Sequence, residues 1–299
     1  MRIRSINIDE VDKYSKISMV DSEAFKDSLL LDINDDIVKL KWCYVLEDEG
    51  KFIGRIVGGS FDDNFQILRI NIYERRDDIR EKFLKYVIDD VKSQGYDSVE
   101  AHLYSDNVQF KNYKNMFLNV GFKITQEKYS YLWDKSNIRE VKSLSKGLNF
   151  KTLKEVGEKE YVKAIEAVTE NTLDRDDIEN VKTLGKEAAA QRYFNELKEI
   201  DFNEEWWKLA YKNEKLVGLI IPQKFNDKYG AINYIGVVKN ERGKGYVDDL
   251  LTMGSKTLSE AGIQKIIGDI DVNNFPMENS LKRQGYKLSC NMRVLKLEM

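Results

Sequence analysis

The stretch Tyr234-Ile235-Gly236-Val237-Val238-Lys239-Asn240-Glu241-Arg242-Gly243-Lys244-Gly245-Tyr246-Val247 is the most informative part of this 299-residue chain. It runs from an apolar strand through a tight glycine loop into the start of a helix. Gly243 and Gly245 allow positive φ angles and a close approach of backbone to ligand. Successive N–H groups at a helix start, helped by the helix dipole, form an anion site suited to a pyrophosphate. The side chains of Arg242 and Lys244 add positive charge.

This stretch can be compared with the sequence motifs of three kinds of phosphate-binding loop. A P-loop requires G-x-x-x-x-G-K-[ST], which is absent, and a dinucleotide fingerprint requires a third glycine where Asp248 stands. The sequence Arg242-Gly243-Lys244-Gly245 resembles the acyl-CoA loop of the GNAT superfamily, written Q/R-x-x-G-x-G/A, with Val247 departing at the last position. A basic, glycine-rich turn without a ligand is the alternative interpretation.

An internal repeat divides the chain into two halves. Trp42 and Trp206, Gly54 and Gly218, and the pairs Gly121-Phe122 and Gly285-Tyr286 share one spacing of 164 residues. Few identities accompany these matches, so the repeat is structural rather than a close duplication.

Each half follows one predicted order: helical sequence, a hairpin of two strands, a third strand, a helix, a strand, a short helix and a closing hairpin. In the first half the helical sequence covers 9–31, and the elements after it are 42–46, 52–58, 65–73, 79–91, 98–104, 108–119, 122–125 and 128–133. In the second half the helical sequence covers 156–200, and the elements after it are 206–211, 216–221, 230–238, 247–261, 265–271, 275–284, 286–289 and 292–297.

The predicted fold class is α+β, with two tandem GNAT-like domains, each a mixed, mostly antiparallel sheet flanked by helices. The charged stretch 134–147 is the predicted boundary, which gives a degenerate domain at 1–137 and an acyl-CoA-binding domain at 148–299. The shift of 164 places Asp78-Ile79-Arg80-Glu81 where the glycine loop stands in the second half. Without glycine and with added carboxylates, the first half is not expected to bind CoA.

The resemblance covers residues 206–299 and implies an acetyltransferase that passes an acetyl group from acetyl-CoA directly to a primary amine. It implies that backbone groups at Val237 and Val238 pair with the pantetheine arm and that one N–H polarises the thioester carbonyl. The remaining implied cofactor contacts are the N–H groups of Arg242, Gly243, Lys244, Gly245, Tyr246 and Val247, and the side chain of Asn274. No metal is expected.

The proton-transfer groups are less defined by sequence. The strand at 230–238 has no carboxylate, so Asn233 and Tyr234 are the candidates for receiving the amine proton. Many relatives place a tyrosine four residues before the glycine that ends the short helix, where this chain has Leu281. Ser280 or Tyr234 is the substitute proton donor, and Asp271 is a candidate substrate contact.

Other conspicuous residues are expected to be structural. His102, the single histidine, is a strand residue rather than a metal ligand or triad member. Alternation along a strand places one of Trp206 and Trp207 in the core. Glu204 and Glu205 belong to a solvated turn or bind a cationic amine, and Asp174-Arg175-Asp176-Asp177 caps the helix that follows.

Composition limits the function classes. The net charge of −3 with interspersed signs argues against nucleic acid as a partner. Two distant cysteines, no leader-like start and no long apolar run predict a cytoplasmic protein without membrane partners. The predicted partner is a small-molecule or peptide amine, and the oligomeric state is open. The alternative function is a catalytically silent acyl-CoA sensor or scaffold, and a third interpretation has neither half bind CoA.

Overall fold

The structure is a computed structural model that describes residues 1–17, 22–61, 64–136, 144–200 and 202–299. In chain order, the first half contains β1 (Arg2–Ser5), α1 (Val11–Ser15), α2 (Ser22–Asn34), β2 (Cys43–Asp48), β3 (Lys51–Phe61), β4 (Asn64–Ile72), α3 (Asp77–Ser93), β5 (Ser98–Tyr104), α4 (Phe110–Asn119) and β6 (Lys123–Asp134). The second half contains β7 (Asn149–Thr152), α5 (Leu153–Val156), α6 (Glu158–Thr169), α7 (Arg175–Leu184), α8 (Lys186–Glu199), β8 (Lys208–Lys212), β9 (Lys215–Lys224), β10 (Tyr229–Val237), α9 (Tyr246–Glu260), β11 (Lys265–Asp271), α10 (Phe275–Arg283) and β12 (Lys287–Glu298).

The first hairpin of each half forms where turn chemistry predicted it. Glu49 and Gly50 have φ angles of 47° and 76°, and Asn213 and Glu214 have φ angles of 47° and 63°. Two successive positive φ angles match the twist of the flanking strands, so β2 pairs tightly with β3 and β8 with β9. The short strands β1 and β7, which the sequence did not predict, extend these hairpins at their outer edges.

The chain forms two compact units, of which the first is not contiguous in sequence. One unit contains Met1–Glu127 together with Met292–Met299, and the other contains Lys128–Asn291. The end of β12 pairs with β5 in the first unit, from Met292 opposite Tyr104 to Glu298 opposite Ser98. The end of β6 pairs with β11 in the second unit, from Lys128 opposite Asp271 to Asp134 opposite Lys265. Each half of the sequence therefore supplies the other half's unit with a strand.

This exchange changes the predicted end of each half. The closing hairpin predicted at 122–125 with 128–133 is wrong, because this stretch is one continuous strand of 12 residues. The strand segments predicted at 286–289 and 292–297 are confirmed as strand, and they join into one strand of 12 residues. The predicted division into 1–137 and 148–299 would separate β6 from β11 and β12 from β5. Of the predicted boundary 134–147, residues 137–143 lie outside the described part of the chain.

Helices cover both faces of the sheet in each unit. In the first unit, Phe83 on α3 and Phe117 on α4 pack on one face, and Tyr14 on α1 and Leu29 on α2 pack on the other. In the second unit, Leu250 and Leu251 on α9 face one core, whereas side chains of α6 and α8 face the other. The exchanged strands are part of these cores, since Leu295 is buried in the first unit and Trp133 in the second.

Each sheet opens between its two parallel strands. β4 pairs with β5 only over Phe65–Ile67, and β10 pairs with β11 only over Tyr229–Ala231. Beyond these three residues β4 and β10 pair only with β3 and β9, and each contains a bulge there, at Leu68 in β4 and at Asn233 in β10. A V-shaped cleft results in each unit. No helix in the described part of the chain has the length and apolarity to cross a membrane.

Candidate functional site

The glycine loop lies at the mouth of the cleft in the second unit. After β10 the backbone makes one 3-10 turn at Lys239–Glu241 and then enters α9. Gly243 and Gly245 have φ angles of 77° and 78°, a region that other residues adopt only with strain. Gly245 is the left-handed residue directly before α9. The two glycines therefore turn the chain into the helix as the sequence predicted.

The loop presents a run of free backbone donors. No described residue accepts a hydrogen bond from the N–H groups of Gly243, Lys244, Gly245, Tyr246 or Val247. The first N–H groups of a helix have no partner within the helix and lie at the positive end of its dipole. The N–H of Arg242, by contrast, lies 3.4 Å from the carbonyl oxygen of Lys239. The anion-binding part of the loop therefore begins at Gly243.

The side chain of Arg242 holds the loop in place. Its Nε donates to the carbonyl oxygen of Val237 at 2.9 Å, and its two terminal nitrogens donate to the carbonyl oxygens of Val168, Glu170 and Asn171 at 2.8–2.9 Å. These contacts satisfy carbonyls at the C-terminus of α6, where a cation is also favoured by the helix dipole. The side chain of Arg242 was expected to add positive charge for a phosphate. In the structure it instead connects β10, the loop and α6 through these hydrogen bonds.

Two lysines flank the free donors. Lys244 Nζ forms a 2.8 Å ion pair with Glu241. Lys146 comes from the segment before β7, and its Cε lies 3.3 Å from the point where a Cβ on Gly245 would lie. No described carboxylate pairs with Lys146 Nζ. Lys146 is therefore a cation beside the loop. The sequence did not indicate it, because Lys146 lies far from the glycine loop along the chain.

A buried carboxylate fixes Lys146 there. Asp249, in the first turn of α9, is 2% exposed and accepts hydrogen bonds from the N–H groups of Ser145 and Lys146 at 2.8–3.0 Å. The hydroxyl of Ser145 donates to the same carboxylate at 3.1 Å. Lys212 Nζ donates to the carbonyl oxygen of Lys146. Residues 145–147 are thus bound along the start of α9, and we refer to them as the strap.

The register of β10 determines which backbone groups face the cleft. The N–H of Val238 donates to the carbonyl oxygen of Val217 on β9 at 2.9 Å. In an antiparallel pair successive residues point their polar groups to opposite sides, so those of Ile235 and Val237 face the cleft. Of the backbone groups predicted at Val237 and Val238, the N–H of Val237 faces the cleft. The carbonyl oxygen of Val237 accepts from Arg242, and the N–H of Val238 is bonded to β9.

A tyrosine–aspartate pair lies beside the same strand. The hydroxyl of Tyr234 donates to Asp177 Oδ2 at 3.0 Å, and its ring makes an edge contact with Tyr193 at a centroid distance of 4.8 Å. Asp177 is 9% exposed and belongs to the first turn of α7. Burial, reinforced by the neighbouring Asp174, raises the pKa of Asp177 to about 7. A carboxyl group that titrates near neutrality and contacts a strand residue of the cleft is suited to proton transfer.

The sequence predicts Asp177 only as part of the cap of α7. Asp174 does cap that helix, since its side chain accepts a hydrogen bond from the N–H of Asp177 at 3.1 Å. The bond from Tyr234 to Asp177 joins residues 57 positions apart. No local pattern indicates such a pair, and the carboxylate missing from β10 is supplied by this helix instead.

The other two proton-transfer candidates are engaged elsewhere. Asn233 is the bulged residue of β10, and its amide nitrogen donates to Gln223, which is itself fully buried. Ser280 has no exposed surface; its hydroxyl lies 3.2 Å from the carbonyl oxygen of Pro276 and accepts from Arg283 at 2.8 Å. A proton-donor role for Ser280 stays a prediction that these contacts do not favour.

Three further residues from the sequence lie at the ends of β11 and α10. The side chain of Asn274 caps α10 by accepting from the N–H of Met277 at 3.3 Å. Asp271 is 7% exposed, and its carboxylate accepts from the N–H of Arg175 at 2.9 Å, so it holds the start of α7. Leu281 is fully buried against β11 near Gly268. Leu281 thus fills core volume beside β11.

The corresponding place in the first unit lacks the loop. Helix α3 begins at Asp77, and its first turn carries the carboxylates of Asp77 and Asp78. The guanidinium of Arg80 is ion-paired with Asp77 and donates to the carbonyl oxygen of Arg75. The acidic helix start agrees with the prediction that this half does not hold a pyrophosphate.

Several residues expected to be structural have defined contacts. Trp207 is fully buried whereas Trp206 is partly exposed, so one of them lies in the core as predicted, but both precede the first residue of β8 and strand alternation is not the reason. Glu204 and Glu205 are both paired with Lys154 in an exposed turn. Within the described ranges, no cluster of three or more His, Cys, Asp or Glu side chains has the arrangement of a metal site.

Comparison with known families bears on the second unit directly. The acetyltransferase (GNAT) family model matches residues 173–286, which include the glycine loop, Tyr234 and Asp177. No curated protein sequence matches the chain.

Solved structures share the arrangement of the whole chain. A GCN5-related N-acetyltransferase from Sphaerobacter thermophilus superposes with a TM-score of 0.71 at 12% identity, over 99% of this chain and 95% of that chain. A tandem GNAT protein from the clavulanic acid biosynthesis pathway gives 0.61 at 12% identity, over 99% and 98%. A glucosamine N-acetyltransferase region of a fungal multi-domain β-N-acetylglucosaminidase gives 0.64 at 14% identity, over 99% of this chain and 38% of that chain. These likenesses confirm the predicted tandem α+β fold.

Proposed function

Because residues 173–286 form a domain of the GNAT acetyltransferase family, we propose that the second unit transfers an acetyl group from acetyl-CoA to a primary amine. The observation that supports this most directly is the row of free N–H groups from Gly243 to Val247 at the open end of the β10–β11 cleft. A pyrophosphate on the loop and an extended pantetheine arm in the cleft would use both features at once.

The cofactor is held by backbone more than by side chains. The N–H groups of Gly243 to Val247 bind the pyrophosphate, and the cleft-facing backbone of Ile235 and the N–H of Val237 pair with the pantetheine arm. Lys146 on the strap adds a cation beside Gly245. Asn274, at the start of α10, is a further cofactor contact through its amide nitrogen, since its oxygen already caps the helix.

The reaction forms a C–N bond and breaks the C–S bond of the thioester. The amine must be neutral to attack, and its proton passes to Tyr234 Oη, which donates its own proton to Asp177 Oδ2 over 3.0 Å. A cleft-facing N–H of β10 stabilises the negative charge that develops on the carbonyl oxygen. The leaving CoA thiolate has an ordinary thiol basicity and takes its proton from solvent, so Leu281 does not prevent turnover.

Asn233 and Asp271 have supporting roles. Asn233 makes the bulge that re-aims Tyr234 toward α7. Asp271 binds the N–H of Arg175 and so fixes the turn that carries Asp177. Both act by positioning the tyrosine–aspartate pair.

The first test is the melting temperature of the protein with and without acetyl-CoA. A ligand at 100 times its dissociation constant stabilises the folded state by about 2.7 kcal/mol, which is several degrees for a domain of this size. We expect a shift for the wild type and none for Gly245→Asp, whose Cβ would be strained at φ 78° and would meet Lys146. No shift for the wild type at millimolar acetyl-CoA would overturn the proposal.

A second function is an acyl-CoA sensor without chemistry, which the buried Leu281 favours. The two differ in turnover. Release of free CoA thiol is measured with a panel of polyamines, aminoglycosides, amino acids and peptide N-termini. Acetylation of any of them supports the enzyme, whereas CoA binding with no turnover across the panel supports the sensor.

A further inference from the structure

The first unit retains an open cleft although it lacks the phosphate loop. Between the diverging ends of β4 and β5 lies a cavity of about 390 Å³, which is within the range of small-molecule sites. Leu68 and Ile70 form one wall, and His102 and Tyr104 form the other. On its other edge, β5 is paired with β12.

The edge of β4 that a pantetheine arm would need is already occupied. The N–H of Tyr73 donates to Ile53 on β3, so the polar groups of Ile72 point to the cleft side. Tyr113 Oη accepts from the N–H of Ile72 at 3.0 Å, and Gln109 Nε2 donates to its carbonyl oxygen at 3.3 Å. With these bonds and the acidic start of α3, the cleft is closed to CoA but not filled.

One carboxylate lines the cavity and a second is bonded to a lining residue. Asp106 lines it, and the ring of His102 is bonded through Nε2 to Glu100 at 2.8 Å. None of the nine lining residues is a lysine or an arginine. Arg293, whose guanidinium lies 5.3 Å from the ring centroid of Phe110, is ion-paired with Glu127, so its charge is balanced.

The apolar lining has the character that suits a cation with an apolar body. Phe110, Tyr104 and Tyr113 bring aromatic rings to the cavity, and rings attract ammonium groups through their faces. Leu68, Ile70 and Leu103 supply aliphatic surface. We infer that the first unit is a second ligand site, and that it binds a small amine with an apolar body between β4 and β5, with its ammonium group toward Asp106 and the His102–Glu100 pair.

His102 makes the test direct, because it is the only histidine of the chain and its ring protons give one identifiable set of NMR signals. The probe is 2-phenylethylamine added to the full-length protein. We expect a saturable shift of the His102 signals, and an affinity at least fivefold weaker in Asp106→Asn. Asp89→Asn, an exposed carboxylate on α3, is the matched control and keeps the wild-type affinity.

Two further titrations decide between explanations. 3-Phenylpropionate has a similar body and the opposite charge, and we expect it to cause no saturable shift. Acetyl-CoA should leave the His102 signals in place. The inference is overturned if the amine gives no saturable shift up to about 10 mM, the weak limit of specific binding. Equal binding of the acid, or a saturable shift of the His102 signals with acetyl-CoA alone, also overturns it.

Discussion

At the scale of single residues, the pair Tyr234–Asp177 shows how burial prepares a group for chemistry. An aspartate has an ordinary pKa near 3.8, and with that pKa it is too weak a base to accept an amine proton. Burial next to Asp174 raises the pKa of Asp177 to about 7. The sequence predicted Tyr234 because strand and loop are local patterns. It could not predict Asp177, since a capping aspartate has the same local signature whether or not a tyrosine 57 residues away reaches it.

The first prediction concerns pH. If Asp177 receives the amine proton, kcat/KM falls as pH drops below about 7, and Asp177→Asn removes this dependence and lowers the rate by roughly 100-fold. The pH profiles of wild type and variant are measured with one amine, whose own titration affects both equally. Identical profile shapes in the two proteins would contradict the role.

Stability gives an independent check on the same residue. A carboxyl group with a raised pKa in the folded state stabilises the fold when protonated, and this contribution is lost as pH rises from about 4 to about 7. The difference in melting temperature, Asp177→Asn minus wild type, should therefore become more positive between pH 4 and pH 8. A difference independent of pH would show that the folded-state pKa of Asp177 is ordinary.

The second prediction contrasts the two units at equivalent sites. Gly245→Asp abolishes acetyl-CoA binding, because it adds a negative charge and a strained Cβ at the centre of the N–H row. Glu81→Gly, near the start of α3, leaves the affinity unchanged, since its carboxylate accepts from Asn119 in the first unit. Isothermal titration measures both, and equal effects would contradict the asymmetry of the halves.

At the scale of elements, helix α9 does two things with its first turn. Its N–H groups face the loop, and its buried Asp249 binds the strap that carries Lys146. The motif made the helix start predictable, because glycine and apolar periodicity are written in adjacent residues. The strap was not predictable, since 134–147 has no period and its position depends on one carboxylate about 100 residues later.

The third prediction tests this connection. Asp249→Asn replaces an acceptor oxygen with an N–H group that faces the N–H groups of Ser145 and Lys146, at a cost of about 1–3 kcal/mol for each buried donor left unpaired. We expect a lower melting temperature and faster amide hydrogen exchange at residues 145 and 146. Acetyl-CoA affinity should fall several-fold in this variant and in Lys146→Ala.

Asp248→Asn is the matched control, because Asp248 lies one residue earlier and is paired with Arg283 at the surface. It should leave exchange at the strap and acetyl-CoA affinity near their wild-type values. An unchanged affinity in Lys146→Ala would show that the strap lysine does not contact the cofactor.

At the scale of the whole molecule, the exchange of strands joins halves that the sequence separates. The repeat, the order of elements and most strand positions followed from local patterns. The partners of β6 and β12 did not, because a strand's alternation says that it pairs but not with which neighbour. Leu295 and Trp133 are core residues of the unit opposite to the half of the sequence that carries them.

The fourth prediction follows from this pairing. Removing Met292–Met299 takes seven paired residues from β5 and the buried Leu295 from the first core. We expect β5 amides to lose hydrogen-exchange protection and the first unit to unfold at lower temperature. The acetyl-CoA shift of the second unit should persist. A chain that keeps protected β5 amides without these residues would contradict the assigned units.

The exchanged last strand also has a consequence for synthesis. Domains usually fold in order as they leave the ribosome, at about 5–20 residues per second, with the N-terminal one first. Here the first unit takes a strand from Met292–Glu298, which is translated only after all of Lys128–Asn291. Its β5 edge must remain unpaired while Lys128–Asn291 is being translated, and during that time an open strand edge is exposed to pairing with a neighbouring polypeptide.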